Sequence, residues 1–157
     1  MNKKNTLLSL TTLLALGLSF TACMTEDNEN PNTISPITRL TATLNGVSEK
    51  PTSTTSPATG TFVGNLNTTT RVLSYTVTYQ GFPANDQPVA GHLHKVTQAN
   101  GTGPVDIPFP SLTSPIIATT SPLAQSKVDS MLAGFYYANI HTPRFPAGAI
   151  RGDIKRR

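Results

Sequence analysis

From residue 37 onward, apolar and polar residues alternate in short runs, and turn residues separate one run from the next. A period of two places successive side chains on opposite faces of an extended chain, so each run predicts a β-strand with one buried face. The clearest run, 72–79, alternates hydroxyl side chains with four apolar or aromatic ones: Leu73, Tyr75, Val77 and Tyr79. In total the pattern predicts seven strands, over 39–44, 58–66, 72–79, 89–96, 116–119, 135–140 and 149–154.

One segment spaces its apolar residues as a helix does. Residues 122–133 carry a stripe formed by Leu123, Val128, Met131 and Leu132. Ser121 and Pro122 are typical of a helix start, and Gly134 is typical of a helix end. Seven strands with one short helix predict an all-β fold, an immunoglobulin-like β-sandwich or barrel.

Composition supports the same fold class. Charged residues make up 13% of the 157 residues and aromatic residues 6%, while turn and strand formers dominate the remainder. This argues against a helical bundle, a coiled coil or a doubly wound α/β enzyme, and the apolar content is too high for a disordered chain. The formal net charge of +4 falls to +2 when residues 1–22 are removed, which is too little to favour a nucleic-acid partner.

The N-terminus is predicted to be a processing signal. Lys3 and Lys4 precede a Leu-rich stretch over 7–20 that is too short and too diluted by Thr and Ser for a membrane span. Small residues then precede Cys23, the only cysteine, as in the lipobox of bacterial lipoproteins. The hypothesis is that residues 1–22 are removed and Cys23 is lipidated, which would anchor the protein stably. An ordinary secretory signal with an incidental cysteine is the alternative.

Residues 23–36 are predicted to be a tether, because they are acidic, rich in Asn and Pro, and nearly devoid of apolar side chains. An acidic stretch after the lipidated cysteine is similar to the surface-export signal of some bacterial lipoproteins. The domain organisation is therefore a signal over 1–22, a tether over 23–36 and one β domain over 37–157. The expected location is the bacterial outer membrane or cell surface, with lipid attachment to the membrane. Without a second cysteine, the domain must be stable without a disulfide.

The three histidines are the candidate ligands of a metal site. His92 and His94 are two residues apart on a predicted strand, so their side chains share a face about 6.5–7 Å apart. His141 ends a neighbouring predicted strand and is the third candidate ligand. Three imidazoles with an open position suit Zn(II) or Cu. Asp106 and Asp153 are candidate carboxylates to orient them. The alternative is structural: the rings hydrogen-bond backbone carbonyls and fix the strand ends.

No other segment predicts chemistry. The tripeptide 151–153 matches an adhesion motif, but it lies in a predicted strand and such short motifs arise by chance. The chain has neither a G-x-S-x-G elbow nor a G-x-G-x-x-G phosphate loop. The basic residues 155–157 are expected to be a solvated terminus. The sequence therefore predicts no catalytic residue and no enzyme.

Several segments together resemble the CHRD domain, a family first described in chordin and also found in bacteria. The opening is 40–46 with 49–51, the centre is Gly91-His92-Leu93-His94 with 101–105, and the closing signature is 136–142 with 145–154. The resemblance covers about 38–154. It implies an immunoglobulin-like β-barrel, through a faint similarity of the family to copper/zinc superoxide dismutases, and it implies no established activity.

Two positions depart from the family pattern. Lys50 precedes a single proline where the family usually has two, and Ala149 stands where the family usually has Glu. If that glutamate served as a ligand partner, this chain lacks it.

Two hypotheses follow. The first is a lipid-anchored, non-catalytic binding or structural module whose loops contact an envelope or extracellular protein or a glycan. The alternative is a mononuclear Zn or Cu domain with a fold like that of superoxide dismutase. The geometry of the histidines discriminates between them: we expect His141 within about 5–8 Å of the other two, with ring nitrogens converging on one point if the site binds a metal.

Overall fold

The computed structural model describes residues 36–157. The predicted signal over 1–22, the lipidation site Cys23 and the tether up to residue 35 lie outside the described residues. Within 36–157, no helix is long and apolar enough to cross a membrane.

The described chain forms nine strands and one helix. In chain order they are β1 (Ile37–Asn45), β2 (Thr59–Asn67), β3 (Val72–Gln80), β4 (Ala90–Lys95), β5 (Val105–Pro108), β6 (Ile116–Thr119), α1 (Gln125–Leu132), β7 (Tyr136–His141), β8 (Ile150–Asp153) and β9 (Lys155–Arg156). The all-β class with one short helix is confirmed. Two short strands, β5 and β9, were not predicted as separate strands, because neither is long enough to show a period of two.

The strands form one antiparallel sheet in the order β5-β4-β7-β8-β1-β2-β3-β6, and β9 pairs with β1. The sheet curls into a half-barrel. Its two ends approach each other through the residues after β5, where the ring of Phe109 lies 5.9 Å from the ring of Tyr75 on β3. The curl gives the sheet an inner, apolar face.

The predicted period of two decides which side chains fill this inner face. On β3, Leu73, Tyr75 and Val77 are buried as predicted, and Tyr79 is half-buried at the end of the strand. Leu93 on β4 is fully buried, as expected from its position between two histidines that face the other way. Burial of such side chains, at about 1.5–3 kcal/mol each, is the main contribution to the stability of a domain without a disulfide.

Helix α1 is shorter than predicted. It begins at Gln125, with Ala124 as the extended N-cap residue and no side-chain cap. The predicted start at Pro122 is wrong because the preceding residues are tied to the sheet: the Leu123 amide donates to the Arg71 carbonyl in the β2–β3 turn. The predicted end is correct, since Gly134 has a φ of +79°, a conformation that glycine adopts without strain.

The outer face of β4, β7 and β8 carries an unusual layer of polar side chains. It is covered by three connections, 46–58, 96–104 and 142–149, so that much of it is buried. We call this layer the polar layer. Its members on the strands are His92, His94, Tyr137, Asn139, His141 and Arg151, and Glu49 reaches it from the connection 46–58.

Candidate metal centre

The three histidines lie together. Their ring centroids are 5.5 Å apart for His92 and His94, 5.2 Å for His92 and His141, and 5.9 Å for His94 and His141. The antiparallel pairing of β4 with β7 explains this, because His141 pairs with Ala90 and is therefore the diagonal neighbour of His92. The expectation of about 5–8 Å, drawn from the sequence, is confirmed.

Backbone carbonyls orient two of the rings. His94 Nδ1 lies 3.0 Å from the carbonyl oxygen of Gly103, and His141 Nδ1 lies 3.0 Å from that of Pro146. A carbonyl oxygen only accepts, so Nδ1 must carry the proton in both rings, and the lone pair of each neutral ring is then on Nε2. This is the arrangement in which histidines bind metals through Nε2.

Each ring also has a nitrogen without a partner, and the three rings are close enough to share one ion. His94 Nε2, His141 Nε2 and His92 Nδ1 are buried and have no hydrogen-bond partner. One ligand nitrogen from each ring lies within 4.8 Å of the other two, so a common centre is at most about 2.8 Å from each. Zn–N bonds are about 2.0–2.1 Å long, so an inward shift of less than about 1 Å per ring would complete coordination.

The two interpretations drawn from the sequence are therefore not exclusive. Bonds to separate carbonyls, expected for structural histidines, and convergence, expected for a metal site, both occur. His94 and His141 each bond a carbonyl through Nδ1 and leave Nε2 without a partner.

Burial keeps the rings uncharged. It lowers the pKa of His92, His94 and His141 below the ordinary value of 6.5, and for His92 the two neighbouring imidazoles lower the pKa further. All three rings are consequently neutral at pH 7, which is the protonation state that a metal ligand requires.

A column of stacked groups supports His94. Its imidazole is parallel to the ring of Tyr137, with centroids 4.7 Å apart. The Arg151 guanidinium carbon lies 3.5 Å from the centroid of the same Tyr137 ring. Arg151 is 1% exposed, and its Nε and Nη2 donate to Asp153 Oδ1 at 3.0 and 2.7 Å. The column fixes the plane of the His94 ring.

Glu49 is a buried carboxylate beside this column. Asn139 Nδ2 donates to its Oε2 at 3.3 Å, and Asn139 pairs with His92 across the sheet. Burial raises the pKa of Glu49 to about 7, although the Arg151 charge opposes that rise. Gly148 leaves the space that Glu49 fills, because a Cβ there would lie 2.6 Å from Glu49 Oε2.

Neither of the two predicted orienting carboxylates bonds a histidine. Asp106 accepts from Lys127 Nζ and from the Tyr136 hydroxyl, and Asp153 accepts from Arg151 and Lys50. Neither hydrogen-bonds a histidine, so this expectation is wrong, and carbonyls take their place. The carboxylate that does reach the polar layer is Glu49, which comes from the opening segment of the domain instead of position 149.

Unpartnered polar atoms are concentrated in the polar layer. In the described part of the chain, every buried side-chain nitrogen or oxygen without a hydrogen bond belongs to it: Glu49 Oε1, His92 Nδ1, His94 Nε2, Asn139 Oδ1, His141 Nε2 and Arg151 Nη1. Each such atom costs about 1–3 kcal/mol when left unsatisfied. Their grouping in one place is typical of a site that receives a ligand.

The sequence indicated the three histidines but not the side chains that surround and orient them. Tyr137 and Asn139 alternate with His141 along β7, so the same period of two that joined His92 to His94 could have placed them on this face. Arg151 was assigned only to an adhesion tripeptide, and its burial in β8 leaves no exposed loop for that role. No local pattern marks Glu49, because its partners are distant in sequence.

The comparison with known families agrees with the extent of the domain. A family model described as CHRD domain matches residues 40–154, which includes all three histidines and the rest of the polar layer. The chain matches no curated protein and no solved structure.

Proposed function

Because the chain belongs to the CHRD domain family, whose domains are non-catalytic binding or structural modules, we propose that it is a lipid-anchored module of the bacterial cell envelope that binds one transition-metal ion. The ion would be held by His92, His94 and His141. The family assignment supports the non-catalytic part of this proposal, and the histidine geometry supports the metal.

Two observations together carry the proposal. One nitrogen from each of the three imidazoles lies within 4.8 Å of the other two, and each ring has a buried nitrogen without a hydrogen-bond partner. A purely structural cluster would satisfy these buried nitrogens by hydrogen bonds, since an unmet buried acceptor is costly. Here a backbone carbonyl satisfies Nδ1 of His94 and of His141, and Nε2 of each ring is left without a partner.

The donor set selects the metal. Neutral imidazole nitrogens suit Zn(II) and Cu, whereas Ca²⁺ and Mg²⁺ prefer oxygen ligands. Three ligands leave one position of a tetrahedral ion for water or another small ligand. The covering loops bury His94, which is 7% exposed, whereas His92 and His141 are half-buried.

Titration of the metal-free protein tests this proposal. We expect Zn²⁺ or Cu²⁺ to bind with one equivalent per chain by isothermal titration calorimetry, and Mg²⁺ to give no binding. His94→Gln should lower the affinity at least tenfold, while Asp129→Asn, a change at an exposed carboxylate on α1, should leave it unchanged. A normally folded protein that takes up no Zn²⁺ and no Cu²⁺ would refute the metal function.

The anchor has a separate test. It is supported by the basic n-region, the Leu-rich stretch and the small residues before Cys23. Cys23→Ser should release the protein from the membrane fraction or leave the signal uncleaved, since acylation requires the thiol. Membrane partitioning and processing identical to those of the unsubstituted protein would contradict lipidation without affecting the metal site.

A further inference from the structure

Five cationic side chains gather at one end of the sheet, which we call the basic end: Arg39, Arg71, Lys155, Arg156 and Arg157. Strand pairing places them together. Arg156 pairs with Leu40, and the Arg157 amide donates to the Arg39 carbonyl at 3.0 Å. Arg71 is in the β2–β3 turn next to Val72, which pairs with Asn67 and through it neighbours the start of β1.

The charges of the basic end are exposed and unneutralised. All five side chains are exposed, and none makes an ion pair among the described residues, where the ion pairs involve Lys50, Lys127 and Arg151 instead. Helix α1 joins β6 to β7 at this end and contributes one exposed carboxylate, Asp129, which accepts from Gln125. The end is therefore strongly positive: its five cations equal the net charge of +5 that residues 36–157 carry, from ten basic and five acidic residues.

The histidines are displaced from the basic end along the direction of β1. Arg39 is six residues from Asn45 on this strand, about 20 Å at 3.3 Å per residue, and Lys155, which pairs with Thr41, is about 13 Å from it. Asn45 pairs with Arg151, Arg151 with Asn139, and Asn139 with His92. His92 is thus offset from the cations of the basic end by about 13–20 Å along β1.

The predicted anchor joins the domain at the basic end. Thirteen residues separate Cys23 from Ile37, the first residue of β1, and this connection spans at most about 50 Å when fully extended. Lipidation of Cys23 would therefore keep the basic end within about 50 Å of the membrane surface. Anionic headgroups attract each nearby Lys or Arg, and several cations strengthen binding multiplicatively.

We propose that the basic end docks on the phosphate groups of an anionic lipid surface and thereby directs the histidine centre away from the membrane. This inference rests on the lipid anchor of the proposed function. Two arguments favour a lipid surface as the partner: its negative charge complements the cations of the basic end, and the predicted anchor joins the domain at that end. The tether carries three acidic residues that could bind the basic end in place of lipid: Glu26, Asp27 and Glu29. The experiment must distinguish these two occupants.

The test uses the acylated full-length chain in vesicles of phosphatidylcholine alone or with about one third phosphatidylglycerol. A fluorophore is attached to the cysteine of Thr69→Cys, which is exposed in the β2–β3 turn. Acylation blocks Cys23, so the label is confined to this site. Energy transfer to labelled headgroups then reports the distance between the basic end and the membrane. We expect higher transfer in the anionic vesicles at 50 mM salt and loss of the difference at 500 mM salt, because salt screens such contacts.

Matched double variants decide the assignment. Arg156→Gln with Arg157→Gln should remove most of the difference between the two vesicle types. Lys50→Gln with Arg144→Gln, an equal loss of charge on the connections that cover the polar layer, should preserve it. Equal transfer in both vesicles, or equal effects of the two double variants, would overturn the docking. The tether is tested by a triple variant, Glu26→Gln with Asp27→Asn and Glu29→Gln. If energy transfer depends on anionic lipid only in this variant, the tether occupies the basic end and the docking is overturned. A failed anchor is distinguishable, because the protein would then leave both vesicle types.

Discussion

The imidazole of His94 and the ring of Tyr137 lie parallel, with an interplanar angle of 2° and centroids 4.7 Å apart. Both side chains also bond the same carbonyl: Gly103 accepts from His94 Nδ1 at 3.0 Å and from the Tyr137 hydroxyl at 3.3 Å. The stack and the shared acceptor together hold the His94 ring beside the other two histidines. Tyr137 is therefore a positioning residue of the candidate metal centre.

Removal of the ring should weaken metal binding. We expect Tyr137→Leu to lower the affinity for Zn²⁺ about tenfold or more, the usual cost of losing a group that orients a ligand. Tyr137→Phe keeps the stack and loses only the bond to Gly103, so its affinity should stay within a few fold of the original. Calorimetry on both variants checks this, and equal losses in both would show that the stack has no positioning effect.

Metal binding should depend on pH below the ordinary histidine pKa. Burial lowers the pKa of all three histidines, so the folded protein needs no deprotonation to bind metal at pH 7. The Zn²⁺ affinity should decline less between pH 7.5 and 6.5 than it would for three histidines with the ordinary pKa, and it should fall steeply at lower pH as protons compete for the same nitrogens. A decline between pH 7.5 and 6.5 as large as that expected for three ordinary histidines would contradict the lowered pKa values.

The same shift makes the histidines destabilising in acid. Below pH 6.5 the unfolded chain takes up protons that the folded chain does not bind, so stability that is present above pH 6.5 is lost as the pH falls. The free energy of unfolding of the metal-free protein should therefore decrease from pH 7 toward pH 5 through these groups, and bound Zn²⁺ should reduce the decrease.

Glu49 should have the opposite effect on the pH dependence of stability. Its pKa rises from 4.5 to about 7, so between these values the folded state binds more protons and the stability contributed by Glu49 falls as the pH increases. Relative to the unsubstituted protein, Glu49→Gln should gain up to about 3 kcal/mol between pH 5 and pH 8. Urea unfolding of both proteins at the two pH values measures this gain, and effects that do not depend on pH cancel. A constant difference between the two proteins would exclude the raised pKa.

The period of two predicted most of the fold because each predicted strand has one buried face. The prediction of strands was weakest where the strands are short, as in β5 and β9, because two to four residues cannot show an alternation of apolar and polar side chains. The helix start was misplaced because a long-range bond from Leu123 to the Arg71 carbonyl overrode the local signal of Ser121 and Pro122.

The site was predictable only in part. Spacing placed His92 and His94 on one face, and chain order suggested His141 as their neighbour. The groups that support the centre come from residues far apart in sequence, such as Glu49 with Asn139 or Tyr137 with His94, and only the folded register brings them together. Asp106 was a reasonable candidate by residue type, but Lys127 and Tyr136 already occupy its two oxygens.

A core substitution tests the packing of the half-barrel. Val77 is fully buried and pairs with Phe62 on β2 and Ile116 on β6. Val77→Asp would bury a charge without a partner and should lower the free energy of unfolding by about 3–5 kcal/mol or prevent folding. Ser74→Asp, on the exposed face of the same strand, should cost no more than about 1 kcal/mol. Similar costs for the two variants in urea unfolding would mean that the inner face is misassigned.

X-ray absorption at the zinc edge tests the metal centre most directly, because it reports the ligand atoms of an ion bound to the intact protein. With one equivalent of Zn²⁺ added at pH 7.5, we predict a four-coordinate shell at about 2.0–2.1 Å whose outer scattering fits three imidazoles. His92→Gln should reduce the imidazole contribution by one. A six-coordinate shell of oxygen ligands without imidazole scattering would contradict a centre built from His92, His94 and His141.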